Sequence, residues 1–126
     1  MTADDICRAL YNTKYCYHSE KDLQQGVAQV LSDLGSAFKP EYLLTPRNRI
    51  DFFLSNGIGI ECKSDDSKGG TSLAAVTRQL HRYAQSDQIK ELILLTSMSK
   101  HKNLPNLMNE KPLSVVHLLM SFLWPE

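Results

Sequence analysis

The sequence has no excess of charge of either sign, because 14 Lys and Arg side chains balance 14 Asp and Glu side chains. Proteins that bind nucleic acids usually carry a basic excess, so such a function would have to depend on a local basic patch. The sequence also lacks an apolar run long enough to span a bilayer and a signal peptide with a basic start and an apolar centre. We therefore expect an intracellular, cytoplasmic protein with no membrane contact.

Cysteine is scarce. The three cysteines, Cys7, Cys16 and Cys62, show no paired spacing. Cys16 and His18 are two residues apart, but no second Cys/His pair follows at the spacing of a zinc site. An odd number of such cysteines is typical of reduced thiols in an intracellular protein. We expect ordinary buried or half-buried side chains, within a single domain, 1–126, that is large enough to have its own core.

Residues 49–63 have the pattern of a β-hairpin, because apolar side chains alternate on both sides of an Asn-Gly pair. The two apolar sets are Ile50, Phe52 and Leu54, then Ile58, Ile60 and Cys62. They share one face of the sheet only if the loop has three residues, since a one-residue slip would move one set to the other face. We therefore predict a left-handed Gly57 and the pairs Leu54–Ile58, Phe52–Ile60 and Ile50–Cys62.

This register places Asp51 directly opposite Glu61 on the other face, with Lys63 two residues further along and Gly59 leaving room nearby. Like charges directly opposite each other are destabilising. A cation between the carboxylates would offset this cost, and oxygen ligands suit Mg²⁺ or Mn²⁺. The simpler alternative is a solvated ion pair between Glu61 and Lys63 on an edge strand.

Asp51, followed after nine residues by Glu61-Cys62-Lys63, resembles the D…(D/E)-x-K signature of the PD-(D/E)xK nuclease superfamily. Ile50 stands where the family name places a proline. The resemblance implies an α/β fold with a restriction-endonuclease-like core, a mixed central sheet flanked by helices in the order α-β-β-β-α-β. It also implies metal-dependent hydrolysis of nucleic-acid phosphodiesters. Asp51, Glu61 and the backbone carbonyl of Cys62 would hold the metal, and Lys63 would act on the attacking water.

Local signals predict the elements around the hairpin. They are a short helix capped by Thr2, a helix over 20–34 capped by Ser19, a strand over 42–45, a helix over 72–86, a buried strand over 91–97 and a last strand over 113–119. This order agrees with the one that the resemblance implies.

The two long helices supply further candidates by resemblance. Nucleases of the VRR-NUC and Holliday-junction-resolvase types carry an acidic residue near the metal on the first core helix, and Glu20, in preference to Asp22, takes that place here. VRR-NUC members present a glutamine from the later helix, which makes Gln79 the corresponding catalytic candidate. The alternatives are that Glu20 only complements the helix dipole and that Gln79 is an ordinary surface residue.

Basic residues near the hairpin and the later helix are candidates for contacts with nucleic acid. They are Arg47, Arg49, Lys68, Arg78 and Arg82. Arginine matches the geometry of phosphate, and phosphate contacts position a nucleic acid without reading its sequence. An ordinary solvated charged face is the alternative for each of them.

Together these features predict a metal-dependent DNA nuclease, a structure-selective endonuclease that acts on junctions or branches, since the short chain holds no added specificity domain. We expect a homodimer because such substrates have two-fold symmetry. The apolar residues 118–124 would either close the core or form the dimer contact. The alternative is a catalytically weak or inactive module that binds nucleic acid or a partner within a repair or restriction assembly.

Overall fold

The computed structural model of this chain describes residues 1–15, 19–65, 67 and 70–118. The elements in chain order are α1 (Ala3–Tyr11), α2 (Glu20–Asp33), β1 (Phe38–Thr45), β2 (Asn48–Leu54), β3 (Ile58–Lys63), α3 (Leu73–Ala84), β4 (Glu91–Thr96), β5 (Leu107–Met108) and β6 (Lys111–His117), with a 3₁₀ helix at Ser99–Asn103. The strands form one sheet in the order β1-β2-β3-β4-β6-β5. Strand β4 is parallel to β3 and β6, and the other neighbours are antiparallel.

Helices cover both faces of this mixed sheet, so the predicted α/β class is confirmed. Ile93 and Leu95 of β4 pack in one core cluster with α1 and α2. Leu92 and Leu94, which alternate with them, pack in a second cluster with α3. The continuous apolar run of β4 is therefore explained by burial on both faces, as expected for a parallel strand inside a sheet.

Side-chain caps determine where the helices begin, as the sequence predicts. The Thr2 hydroxyl accepts from the Asp5 N–H at 3.2 Å, and the Asp5 carboxylate accepts from the Thr2 N–H at 3.0 Å, which is a complete capping box. The Ser19 and Ser72 hydroxyls cap α2 and α3. Gly35, with φ of 72°, follows the end of α2.

The predicted hairpin loop is confirmed. Phe52 lies opposite Ile60, and the Gly57 N–H donates to the Leu54 carbonyl at 2.9 Å across the three-residue turn. Gly57 has φ of 89°, the left-handed conformation that glycine adopts without a steric penalty. Asp51 and Glu61 therefore face each other across the two strands.

The predicted face of Ile50 is wrong. Phe52 packs with α1 and α2, but Ile50 packs with α3, so the alternation of β2 breaks at Asp51. The described β2–β3 ladder stops at Phe52 and Ile60 and does not reach Cys62. On the other side of β2, Pro40 and Tyr42 of β1 pair with β2. Glu41, which lies between them in the sequence, has a φ of 50°. The pairing of β2 with each of its two neighbouring strands is thus irregular at Asp51.

The space expected beside Gly59 is also filled. A Cβ atom added there would lie 2.5 Å from Cδ1 of Ile50 and 2.8 Å from Cδ1 of Ile89. Gly59 therefore permits close packing of the α3 core and leaves no room for a ligand.

One further difference from the predicted elements concerns an edge of the sheet. Strand β1 begins at Phe38 instead of Tyr42, because an edge strand tolerates Pro40. The polar segment 99–110 contains the short strand β5 as well as the 3₁₀ helix. The apolar residues from Leu119 to Trp124, like Cys16 and Lys68, lie outside the described residues. No described helix is both long and apolar enough to cross a membrane.

Candidate active site

A polar cavity of about 540 Å³ opens at the end of the β2–β3 hairpin that is remote from its turn. Its lining residues come from α2, β1, β2, β3 and α3, and they are Glu20, Lys21, Gln24, Glu41, Arg49, Asp51, Glu61, Lys63 and Gln79. The four residues predicted as catalytic, together with Glu20, thus line one cavity, although they are spread over 60 positions of the sequence.

The carboxylates of Asp51 and Glu61 are joined to each other's strands by reciprocal hydrogen bonds. The N–H of Cys62 donates to Oδ2 of Asp51 at 2.8 Å, and the N–H of Asp51 donates to Oε1 of Glu61 at 3.3 Å. These bonds occupy main-chain donors where the strand ladder has ended. Both carboxyl groups are consequently held at the same cavity.

Burial makes it costly for both acids to be charged. Burial, opposed by the Cys62 N–H and reinforced by the nearby Glu20 carboxylate, raises the pKa of Asp51 to about 6. Burial raises the pKa of Glu61 well above its usual range, and the charge of Asp51 adds to this effect. The pair therefore retains protons at a pH where exposed carboxyl groups are ionised.

Lys63 is buried beside these acids. It is 3% exposed, and its Nζ lies 3.6 Å from Oε2 of Glu61. Strand β3 lies between β2 and β4 inside the sheet, so the alternative of a solvated ion pair on an edge strand is wrong. A buried pair of this kind contributes little net stability, because desolvation offsets the attraction.

Tyr83 is a functional candidate that the sequence did not reveal. Its hydroxyl donates to the Arg49 carbonyl at 2.7 Å and lies 3.1 Å from Oε1 of Glu61, while it accepts from Nε2 of Gln79 at 2.9 Å. One hydroxyl thus joins α3, β2 and β3. Its ring belongs to the buried side of α3, where an aromatic residue is ordinarily part of the core. The available signals were its spacing of four from Gln79 and the need of a buried tyrosine hydroxyl for a partner.

Glu41 is a second residue at the cavity that the sequence did not reveal. It lies at the rim, with its carboxylate 3.7 Å from a guanidinium nitrogen of Arg49, and both side chains are more than half exposed. Exposed pairs of this kind contribute little to stability. Glu41 was missed because β1 was expected to begin one residue after it.

Glu20 lies in the first turn of α2, where it contacts both its own helix and the loop after β3. Its carboxylate accepts from Nε2 of Gln24 at 3.1 Å and from the Ser67 hydroxyl. The Ser67 hydroxyl also accepts from the Ser64 N–H at 2.8 Å. These contacts connect the residues that follow Lys63 to the helix across the cavity.

The residues predicted to contact nucleic acid are divided between two places. Arg49 lines the acidic cavity, whereas Arg47 and Arg82 line a separate pocket. Arg78 is exposed on α3 and lines neither of these two cavities. Lys68 lies outside the described residues.

The donor set at this cavity fits a hard divalent cation in part. Asp51 and Glu61 supply carboxylate oxygens, which Mg²⁺ and Mn²⁺ prefer, and a cation would offset the cost of two charged buried acids. Among the described residues, however, no group of three or more His, Cys, Asp and Glu side chains is arranged to hold a metal. Cys62, whose carbonyl was predicted as a ligand, is fully buried between Glu61 and Lys63 in the sequence.

No protein-family model, no curated protein and no solved structure matches this chain. Function therefore has to be inferred from the chemistry of the site.

Proposed function

We propose that this chain is a metal-dependent nuclease that hydrolyses phosphodiester bonds of DNA, with a restriction-endonuclease-like core of the PD-(D/E)xK type. One observation carries the proposal: the carboxylates of half-buried Asp51 and buried Glu61 are fixed by hydrogen bonds at one cavity, with the buried amine of Lys63 beside them. The element order from α2 to β4 supports the assignment of the core.

The arrangement of the two acids lowers the stability of the folded state, and this is the reason to assign it a function. Two neighbouring acids with raised pKa values destabilise the folded state when both are ionised. Strongly perturbed carboxyl groups in an open polar cavity are typical of sites where charge or protons are used. A purely structural role would be served as well by apolar residues of similar size.

Asp51 and Glu61 would hold Mg²⁺ or Mn²⁺, with Glu20 and the Cys62 carbonyl as further oxygen donors. When bound, the ion makes water more acidic and balances the negative charge that develops on the phosphate. The hydrogen bonds from the Asp51 and Cys62 N–H groups hold the two carboxylates in place, so little reorganisation is needed on binding.

Lys63 would orient the attacking water and stabilise negative charge at the phosphate. These roles require a positively charged amine at a fixed position, and they require no proton transfer to or from that amine. The burial of Lys63 and its contact with Glu61 at 3.6 Å restrict its position. Gln79, whose amide is held by Tyr83, would supply an uncharged hydrogen-bonding group at the same cavity.

By the same resemblance, the proposed substrates are junctions and branches, and the proposed assembly is a homodimer. The second candidate function is a module that binds nucleic acid without cleaving it. It is favoured by one observation, that no third His, Cys, Asp or Glu side chain completes a metal-binding group in the described part of the chain.

The test is cleavage of linear, nicked, flapped and four-way DNA in Mg²⁺, Mn²⁺ or EDTA by the wild type, Lys63→Ala and Glu61→Gln. Gln keeps an oxygen that can accept from Tyr83 and from the Asp51 N–H. We expect cleavage that requires the divalent ion and that falls at least about 100-fold in both variants. Arg8→Gln, purified identically, is the control for a substitution outside the cavity and should cleave as the wild type does.

The outcomes separate the two candidates. Equal cleavage by the wild type and Lys63→Ala would reject this site. Binding of DNA by a wild type that cleaves none of the substrates would reject the nuclease and support the binding module.

A further inference from the structure

A second polar cavity, of about 290 Å³, lies where β2 begins and α3 ends. Its lining residues are Thr45, Arg47, Asn48, Arg82, Gln85 and Ser86. Every one of these side chains is polar, two are guanidinium groups and none is a carboxylate. The cavity therefore presents hydrogen-bond donors and positive charge without an internal counterion.

Among the described residues, no carboxylate forms a salt bridge with either guanidinium group. The salt bridges among the described residues join Arg49 to Glu41 and Lys63 to Glu61, and neither involves Arg47 or Arg82. Two cations at the rim of one pocket repel each other, and an anion bound between them offsets this repulsion. In a chain with no net charge, this local concentration of positive charge is a specific feature.

Contacts between distant segments hold this pocket together. Nδ2 of Asn48 donates to the Arg82 carbonyl at 3.3 Å and so connects the start of β2 to α3. Nζ of Lys111 donates to the Ser86 carbonyl at 2.7 Å and so connects β6 to the residues after α3. The two arginines therefore extend from a fixed corner of the backbone.

The arginine pocket is adjacent to the acidic cavity. Consecutive residues of β2 line the two, because Asn48 belongs to the pocket and Arg49 to the cavity. On α3, Gln79 lines the cavity and Arg82 the pocket, three residues or about 4.5 Å apart along the helix axis.

We propose that Arg47 and Arg82 bind a backbone phosphate of the same nucleic acid strand whose scissile phosphate lies at Asp51 and Glu61. Guanidinium groups bind phosphate through paired hydrogen bonds. Such a contact positions the strand and does not read its sequence. The inference depends on the proposed function for the identity of the partner, but binding at the pocket requires neither a metal nor cleavage.

The test is binding of a fluorescently labelled DNA duplex in EDTA, measured by anisotropy over a series of NaCl concentrations. Arg47→Gln/Arg82→Gln is compared with Arg8→Gln/Lys14→Gln, which removes the same charge from exposed positions near α1, on the other face of the sheet. We expect the first double variant to weaken binding roughly tenfold and to reduce the slope of log K against log salt by about 1. The control should stay within about twofold of the wild type.

Arg47→Lys/Arg82→Lys separates the effect of the positive charge from the effect of the guanidinium group. Because lysine keeps the positive charge, this variant should restore the salt slope but only part of the affinity. Thermal melting of each variant shows whether the fold is retained.

The proposal of a phosphate-binding pocket and the proposal of nuclease activity can be rejected independently. Selective loss of affinity in Arg47→Gln/Arg82→Gln would support the pocket even if the wild type cleaved no DNA. Equal weakening by the two charge-neutralising double variants, or no binding of the duplex by the wild type in EDTA, would overturn the pocket even if cleavage in Mg²⁺ were observed.

Discussion

The hydroxyl of Tyr83 lies 3.1 Å from Oε1 of Glu61, although one residue is on a helix and the other on a central strand. The same hydroxyl accepts from Gln79 and donates to the Arg49 carbonyl. Tyr83 is thus a positioning residue that acts through Glu61 and Gln79. Burial, followed by the neighbouring charge of Glu61, raises its pKa, so the hydroxyl stays protonated and available as a donor.

Tyr83→Phe should affect catalysis beyond its effect on stability. Loss of the hydroxyl leaves the Arg49 carbonyl and Gln79 without this partner, which should lower the free energy of unfolding by about 1–2 kcal/mol. With Glu61 less well held, kcat should fall roughly tenfold with little change in KM. Steady-state cleavage kinetics and urea denaturation measure the two effects. Tyr42→Phe, which loses a hydroxyl bonded to Gln88 at an exposed position, is the matched control and should keep normal kcat.

The stability of the metal-free protein should fall as pH rises through the acid range. The pKa of Asp51 is raised from 3.8 to about 6 in the folded state, so the folded form binds the proton more tightly than the unfolded form. The resulting stabilisation is complete below about pH 4 and is lost as pH rises through about 6. The difference corresponds to at most about 3 kcal/mol.

Asp51→Asn isolates this effect, because the amide oxygen can still accept from the Cys62 N–H but does not ionise. Between pH 4 and pH 7.5 in EDTA, urea denaturation should show a smaller loss of stability for the variant than for the wild type. Parallel stability curves for the two proteins would contradict the raised pKa of Asp51.

Mg²⁺ should stabilise the protein more at pH 7.5 than at pH 5. Protons compete with the ion for Asp51 and Glu61, whose pKa values are raised, so binding should tighten as pH increases. At 100 times its Kd, a ligand that binds only the folded state adds about 2.7 kcal/mol. Thermal melting with and without Mg²⁺ measures the shift, which Glu61→Gln should abolish. Glu110→Gln, at an exposed position, should shift as the wild type does.

Gly59→Ala should destabilise the protein by about 1–3 kcal/mol through overpacking. The added methyl group would lie 2.5 Å from Cδ1 of Ile50 and 2.8 Å from Cδ1 of Ile89. Ile50→Val removes the nearest of these atoms. The double variant Gly59→Ala/Ile50→Val should therefore be less destabilised than the sum of the two single variants, as measured by chemical denaturation. Strict additivity would argue against direct contact.

Part of the candidate site was predictable because local rules apply to it. The three-residue loop ending at Gly57 determines the hairpin register, and this register brings Asp51 opposite Glu61. The position of Glu20 follows from its cap, since Ser19 begins α2. None of these inferences requires contacts between distant segments.

Other features could not be predicted, because they arise where segments far apart in the sequence meet. The sequence left open a solvated Glu61–Lys63 pair on an edge strand, which was excluded only when β4 paired with the second edge of β3. The link from Tyr83 to Glu61 spans 22 residues, and the pairing of Arg47 with Arg82 in one pocket depends on the docking of α3 against β2. No periodicity within either segment contains that information.

By itself, then, the sequence determined the helix starts, the hairpin turn and the facing acids, since caps, glycine conformations and alternation act between residues close in the chain. The tertiary structure alone decided the burial of Lys63, the packing of Ile50 against α3 and the placing of Arg47 and Arg82 at one pocket. The reason is physical: burial and charge proximity depend on which surfaces pack together, and packing involves the whole chain at once.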